Sequence, residues 1–259
     1  MPVFAANLTM LFTEVPFLDR FALARESGFK FVEYLLPYDY PAAELRQRLD
    51  QNGLRQVLFN LPCGDWAGGD RGIAANPHRV DEFRAGVAKA VDYALALGVR
   101  TLNCLAGKRV PGVESNVHQA TFVANLKFAA RMLAAHDLRL VIESINHFDI
   151  PGFLMNRTDQ ALAILEQAGE PNLAIQYDIY HAQREEGDLA ATLRSHLARI
   201  GHIQAADNPG RHQPGTGEIN YPFLFGELDR LGYQGYVGLE YVPIPDSRSS
   251  FGWIKAMGY

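Results

Sequence analysis

Short apolar runs alternate along the chain with longer segments of helical spacing. Eight runs have the length and composition of buried strands, and they cover residues 3–8, 31–35, 55–61, 101–107, 138–144, 173–178, 202–207 and 236–241. The segments between them place apolar side chains on one helix face, as at Val80, Phe83, Val87, Val91 and Leu95, or at Leu224, Leu228 and Leu231. The pattern predicts repeated βα units.

Glycines follow six of the helical segments, each shortly before the next predicted strand. They are Gly28, Gly53, Gly98, Gly169, Gly201 and Gly232. A glycine at this point can take the left-handed conformation that ends a helix at little steric cost. We therefore expect these glycines to mark the αβ joints.

The spacing of the strands favours a closed barrel over an open sheet. Successive strands begin 24 to 46 residues apart, which suits a βα unit. An open doubly wound sheet commonly carries a glycine-rich fingerprint after its first strand, whereas this loop reads NLTMLFTEVP. No linker divides the chain, so we expect an α/β fold, a single-domain (β/α)8 TIM barrel over residues 1–259. The turn-rich segments 61–72 and 207–218 both follow strands and are expected to be active-site loops.

Polar side chains lie near the ends of the last four predicted strands. They are Glu143, Asp178, Gln204 and Glu240, each preceded by apolar residues. In a barrel the carboxyl ends of the strands meet at one mouth, so three carboxylates and an amide would converge there, although each could also be an ordinary polar residue. Clustered carboxylates repel one another unless a cation neutralises them, and oxygen ligands favour Mg²⁺ or Mn²⁺ over zinc.

Several cations and one histidine are candidates to bind a substrate near this mouth. His181 follows Asp178 as D-x-x-H, and Arg211 lies in the loop after the seventh predicted strand. An acidic substrate would be repelled by the carboxylates, and the planar guanidinium of Arg71, in the segment GDWAGGDRG, could offset that repulsion. Lys108 and Arg109 are rivals on a neighbouring loop.

Charge and cysteine content narrow the class of partner. The net charge is −5 and the sequence pI is about 5.9, which is the wrong sign for nucleic acid or an anionic membrane. Cys63 and Cys104 are the two cysteines, too few for a disulfide framework. With no apparent signal peptide or membrane span, we expect a cytoplasmic protein that acts on a small molecule and is free to form a homo-oligomer.

The sequence resembles the hydroxypyruvate isomerase family of the xylose-isomerase-like barrel superfamily. The resemblance covers nearly the whole chain, through FAANLTMLFTEVPFLDRF, LFNLPCGDWAGGDRGIA, VIESIN, QYDIYH, HIQAAD, PGRHQPGTGEINYP and YVGLEY. It implies one divalent metal ion held by Glu143, Asp178, Gln204 and Glu240, with Glu143 and Glu240 as the proton-transfer pair. It also implies interconversion of hydroxypyruvate and tartronate semialdehyde, or reaction of a related sugar acid such as a 2-oxotetronate. Sister epimerases commonly have histidine at the position of Gln204.

Three other functions remain open at this stage. A ketose 3-epimerase would use the same metal and glutamate pair but would leave the carbonyl in place. A barrel endonuclease would need more histidines for a multi-zinc site and a basic face. A non-catalytic sugar-acid binding barrel would not need both Glu143 and Glu240.

Overall fold

A computed structural model describes all 259 residues, and its strands form one parallel sheet of nine members. The strands are β1 (Val3–Asn7), β2 (Phe31–Glu33), β3 (Arg55–Gln56), β4 (Leu58–Asn60), β5 (Thr101–Cys104), β6 (Arg139–Glu143), β7 (Leu173–Asp178), β8 (Ile200–Gln204) and β9 (Tyr236–Leu239). Their order in the sheet is β3-β2-β1-β9-β8-β7-β6-β5-β4. The predicted TIM barrel is confirmed.

The third predicted strand is divided into β3 and β4 at Val57. The strand β3 pairs with β2, and β4 pairs with β5, so the two ends of the sheet order are adjacent segments of one chain. The amide of Val57 still donates to the carbonyl of Val32 at 2.9 Å. The division therefore lies where the strand changes its partner, and the barrel closes through it.

Nine α-helices accompany the strands. They are α1 (Arg20–Glu26), α2 (Ala42–Asn52), α3 (Val80–Leu97), α4 (Ser115–Ala134), α5 (Thr158–Ala168), α6 (Ile179–Glu185), α7 (Leu189–His196), α8 (Tyr221–Arg230) and α9 (Gly252–Ala256). None has the length and apolar character of a membrane span. Apolar side chains from the helices and the strands form one large buried cluster.

The predicted apolar face of α3 is correct except at its end. Phe83, Val87 and Val91 are buried, as expected from their helical spacing. Leu95 was expected on the same face but is 53% exposed. In the last turn the inward position belongs to Ala94 instead, which is 1% exposed.

Five of the six glycines predicted at helix ends have a positive φ, namely Gly28, Gly53, Gly98, Gly169 and Gly232. The prediction for Gly201 is wrong, because this residue lies within β8. A Cβ at Gly201 would lie 3.0 Å from Cγ1 of Val141 on β6. The residue is therefore small because of close packing on the sheet, not because of a turn.

Beneath its mouth the barrel has a polar interior. Glu33 on β2 contacts His202 and Gln204 on β8, although these two strands are not neighbours in the sheet. The three side chains therefore meet across the inside of the barrel, and all are at most 2% exposed. TIM barrels usually fill this space with branched apolar side chains, so the polar layer calls for an explanation.

Candidate active site

The residues predicted at the strand ends lie at one mouth of the barrel. Glu143, Asp178 and Gln204 are the last residues of β6, β7 and β8, and Glu240 directly follows β9. A cavity of about 220 Å³ opens beside two of them, Glu143 and Glu240. It is lined by Thr9, Met10, Leu35, Asn60, Trp66, Leu105, Glu143, Ile145, Ile150, His181, Arg211 and Glu240.

Arg211 joins two of the carboxylates. Its Nη2 donates to Oε1 of Glu240 at 2.7 Å and to Oδ2 of Asp178 at 3.1 Å. The guanidinium carbon lies 5.1 Å from the centre of the Tyr180 ring. The structure thus places Arg211 at the mouth, in direct contact with the acidic cluster.

Burial raises the pKa of all three carboxyl groups. The pKa of Glu143 is well above its ordinary value, first because of burial and then because Glu240 and Asp178 lie nearby. Burial also raises the pKa of Asp178, and it raises that of Glu240 to about 8, although Arg211 opposes both shifts. Glu240 can therefore exchange a proton near neutral pH, and a further cation would stabilise the charged forms of all three groups.

The cluster meets the geometric requirement for a metal ion. One ligand atom each from Glu143, Asp178 and His181 lies within 4.8 Å of the others, and all three side chains are buried. Nε2 of His181 lies 3.6 Å from Oδ2 of Asp178 and 3.9 Å from Oε1 of Glu143. No other group of three or more such side chains exists in the chain.

The surroundings of His181 favour a hydrogen-bonding role over metal ligation. Oδ1 of Asn146 accepts from the amide of Asp149 at 2.9 Å, so Nδ2 of Asn146 faces Nδ1 of His181, at 2.6 Å. Nδ1 is then an acceptor, and the proton of a neutral ring lies on Nε2. Burial, together with Arg211 and Arg184, lowers the pKa of His181 well below its ordinary value. A neutral His181 presents an N–H donor to the cavity.

Gln204 lies beside this cluster, and both the nitrogen and the oxygen of its amide form hydrogen bonds. Its Nε2 donates to Oε1 of Glu33 at 2.7 Å, and its Oε1 accepts from Nε2 of Gln176 at 2.6 Å. It also hydrogen-bonds Glu240, which lowers the pKa of that group. The position of Gln204 is therefore held by side chains from β2 and β7 and from the residue that follows β9.

Arg71 does not line the cavity. Its Nη1 donates to the carbonyls of Trp66 and Asp70 at 3.0 and 2.6 Å, and its guanidinium carbon lies 4.2 Å from the centre of the Trp66 ring. Trp66 itself does line the cavity. The rivals Lys108 and Arg109 donate to backbone carbonyls of neighbouring loops.

Four contributors to the site were not predicted from the sequence. Asn103 donates to Oε2 of Glu143 at 3.0 Å, Asn146 orients His181, Glu33 holds Gln204, and Trp66 forms part of the wall. Asn103 interrupts an apolar run, TLNCL, on a strand buried on both faces. A polar residue within such a run was the one sequence feature that could have indicated a role for Asn103.

The fold and the acidic mouth together define a xylose isomerase-like barrel. The chain matches the xylose isomerase-like TIM barrel family over residues 21–257, and it belongs to that family.

Similar proteins define the class of this chain more narrowly, because they are isomerases. It is 51% identical over 251 residues to hydroxypyruvate isomerase of Escherichia coli K12, covering 97% of each chain. It is 48% identical to 2-oxo-tetronate isomerase of Cupriavidus necator, covering 98% of each. The crystal structure of AP endonuclease, family 2, from Brucella melitensis superimposes with a TM-score of 0.96, at 43% identity and 99% coverage of both chains. The resemblance to the hydroxypyruvate isomerase family is confirmed, and the chain is an isomerase.

Proposed function

We propose that this protein is a metal-dependent isomerase of a small 2-oxo sugar acid, either hydroxypyruvate or a 2-oxotetronate. The observation that supports this most is the meeting of Glu143 and Glu240 with Arg211 and His181 around one cavity of about 220 Å³. The product from hydroxypyruvate would be tartronate semialdehyde.

The metal would be one divalent ion, Mg²⁺ or Mn²⁺, held by Glu143, Asp178, Gln204 and Glu240. Three buried carboxyl groups with raised pKa values fit such an ion, and their oxygen donors suit hard cations. When bound, the ion would offset the negative charge that develops on the oxygens of the substrate. His181 is left outside the ligand set because its Nε2 carries a proton.

The chain's own side chains would move the protons. Shifting a carbonyl to the adjacent carbon requires removal of a proton next to it, an enediolate, and reprotonation of the neighbouring carbon. Glu143 ends β6 and Glu240 follows β9, and these strands are separated by β7 and β8, so the two carboxyl groups enter the cavity from separate positions. One would abstract the proton and the other would deliver it, and their raised pKa values suit this exchange.

Arg211 and His181 would hold the substrate. The Nε2–H of His181 would donate to a substrate oxygen, and Arg211 would bind the carboxylate with its guanidinium. Arg71 is the second candidate for the carboxylate, because its Nε and Nη2 make no hydrogen bond within the protein.

Proton NMR in deuterated water tests this function directly. The purified protein is incubated with hydroxypyruvate, a 2-oxotetronate or an uncharged ketohexose, each with Mg²⁺ or Mn²⁺ and each with EDTA. We expect a new carbonyl isomer from one acid only, with solvent deuterium incorporated, and no turnover in EDTA. Inversion at one carbon of the ketohexose without carbonyl movement would favour a ketose 3-epimerase instead.

An endonuclease function finds less support in this chain. A multi-zinc site needs several histidines, whereas the cluster at the mouth contains His181 alone. The net charge of −5 also opposes the approach of a polyanion.

A further inference from the structure

A second cavity adjoins the one at the mouth, and the proposed reaction does not use it. Its volume is about 280 Å³. Thr9, Leu35 and Trp66 line both cavities. All three lie in segments that follow strands, after β1, β2 and β4. The two cavities therefore share a border at the carboxyl ends of the strands.

The second cavity has the composition of a small-molecule site. Besides the three shared residues it is lined by Phe17, Arg20, Leu36, Asp39 and Tyr40. The rings of Phe17 and Tyr40 are stacked, with their centres 5.3 Å apart. A mainly apolar wall with a few polar groups is typical of sites that bind small molecules.

The charged groups of this cavity retain unused hydrogen-bonding capacity. Nε of Arg20 donates to the carbonyl of Val15 at 3.2 Å and Nη1 donates to that of Leu8 at 2.7 Å, which leaves Nη2 without a partner in the protein. The carboxylate of Asp39 is exposed and has no partner either. The cavity thus offers one donor and one acceptor of opposite charge. A hydroxyl group can use both, because it donates and accepts, whereas a second carboxylate would be repelled by Asp39.

The polar interior of the barrel supports the border between the cavities. Oε1 of Glu33 accepts from Nδ2 of Asn7 at 2.9 Å, and Oδ1 of Asn7 accepts from the amide of Thr9 at 3.0 Å. Oγ1 of Thr9 in turn accepts from the amide of Leu35 at 2.8 Å. This chain of hydrogen bonds fixes two of the three shared residues to each other and to the buried polar layer.

The chemistry of the reaction determines which part of a substrate can reach the second cavity. The carboxylate and the two carbons that exchange the carbonyl must lie near Glu143, Glu240 and Arg211. In hydroxypyruvate the second of these carbons is the last of the chain. In a 2-oxotetronate a CH₂OH group extends beyond it, and the border formed by Thr9, Leu35 and Trp66 is a wall of the cavity without charged groups.

We propose that the second cavity is a subsite for the hydroxyl-bearing end of a sugar acid with four or more carbons, in which Arg20 and Asp39 bind the terminal hydroxyl groups. The inference rests on the proposed function and selects the 2-oxotetronate over hydroxypyruvate as its substrate. Binding at an end remote from the reacting carbons raises kcat/KM when the contact is kept in the transition state.

The variant Asp39→Ala tests the subsite, because Asp39 lines the second cavity and not the first. Steady-state kinetics is measured with 2-oxotetronate, and hydroxypyruvate is added as a competitive inhibitor. We expect kcat/KM for the four-carbon acid to fall about 2- to 10-fold, the range for the loss of one hydrogen bond. The inhibition constant of hydroxypyruvate should keep its wild-type value, because this acid is too short to reach Asp39.

Two further variants make the test specific. Leu36 also lines the second cavity alone, so Leu36→Trp fills it and should lower kcat/KM for 2-oxotetronate more than Asp39→Ala does. The inhibition constant of hydroxypyruvate should again be unchanged. Asp92 on α3 is exposed and lines neither cavity, so Asp92→Ala is the matched control and should change neither quantity. The Tm of each variant shows whether it is folded.

The outcomes are distinct. A kcat/KM for hydroxypyruvate that equals or exceeds that for 2-oxotetronate would overturn the subsite and leave the proposed isomerase in place. The subsite would also be overturned if Asp39→Ala left kcat/KM unchanged, or changed it by the same factor as the inhibition constant. If Leu36→Trp does not fold, Asp39→Ala decides alone. A wild-type protein that isomerises neither acid with Mg²⁺ or Mn²⁺ would instead overturn the proposed function, and this proposal with it.

Discussion

The two sides of the barrel mouth differ in their chemistry. After β6–β9 the cavity is lined by charged or titratable groups, namely Glu143, His181, Arg211 and Glu240, together with Ile145 and Ile150. After β1–β5 it is lined by Thr9, Met10, Leu35, Asn60, Trp66 and Leu105, none of them charged. The reactive groups and much of the wall that limits the size of a substrate therefore come from different halves of the chain. Changes at the two glutamates of the first side should mainly affect kcat, whereas changes at Arg211 and on the second side should mainly affect KM.

Glu33 and Glu143 sharpen this comparison, because both are glutamates at the end of a parallel strand. Glu143 lines the cavity, whereas Glu33 does not and is enclosed by donors from β1 and β8. A carboxylate on the uncharged side is thus present but is held inside the barrel. Position at a strand end does not by itself make a glutamate a reactive group.

The largest effect is expected at the two reactive carboxylates. Glu143→Gln and Glu240→Gln keep the shape of the side chain but remove the base, so kcat should fall by about 10²–10⁴, the range for general acid–base catalysis. Steady-state kinetics with the acid substrate measures the loss, with metal content checked in each variant. Near-normal turnover by either metal-loaded variant would remove that residue from the proton-transfer pair.

The fold was predictable because nearly every strand is a short apolar run, as expected for strands buried on both faces. The division of the third strand was not predictable, since it depends on where Val57 stands between two different pairing partners. The prediction for Leu95 was wrong for a similar reason. Helical spacing allowed either Ala94 or Leu95 to follow Val91 on the buried face, and in the structure Ala94 is buried and Leu95 is exposed.

The candidate site was predictable where a carboxylate ended an apolar run. Glu33 was missed because the apolar run FVEYL continues past it, so the strand looked longer than β2 is. Its partner His202 is 169 residues away, a contact that no local pattern reveals. The same holds for the pairing of Asn103 with Glu143.

The next largest effect, on KM for the acid, is expected at one of two arginines, which lie on different sides of the mouth. Arg211 touches the acidic cluster directly, whereas Arg71 lies behind Trp66. If Arg211 binds the substrate carboxylate, Arg211→Ala should raise KM for the acid by the loss of a charge-assisted contact, about 1.5–3 kcal/mol or about 10- to 150-fold.

Arg71→Ala is the matched variant for this measurement. A KM increase of the same size in Arg71→Ala, with little change in Arg211→Ala, would assign the carboxylate to Arg71. Arg71→Lys should then restore only part of the loss, because lysine keeps the charge but lacks the planar fork.

A smaller effect is expected when the stability of the metal-free protein is measured as a function of pH. An unfolded glutamate has a pKa of about 4.3, while burial raises that of folded Glu240 to about 8. Between these values the folded protein keeps a proton that the unfolded chain has lost, so stability should fall as pH rises through this window. Glu240→Gln should reduce that fall, as measured by Tm in EDTA from pH 5 to pH 8.

Mn²⁺ should reverse the trend, because it binds the deprotonated carboxylates. At 100 times its Kd the ion should stabilise the native protein by about 2.7 kcal/mol, and at a fixed ion concentration the gain should be larger at pH 8 than at pH 5. A gain in Tm that does not change with pH would argue against carboxylate ligands.

The smallest effect is expected at Trp66, on the uncharged side. Its ring lines the cavity and lies under the guanidinium of Arg71, so Trp66→Ala removes both a wall and a cation–π contact. An exposed contact of this kind is worth about 0.5–1 kcal/mol, so the KM of the acid should rise about two- to fivefold while kcat changes little. Because Trp66 and Arg71 are in contact, their effects should not add, and the double variant with Arg71→Ala should lose less than the product of the two single losses. Kinetics of the two single variants and the double variant provides this cycle. A loss in kcat as large as the loss in KM would show that the uncharged side also positions the reacting atoms, and the division between the two sides of the mouth would then be wrong.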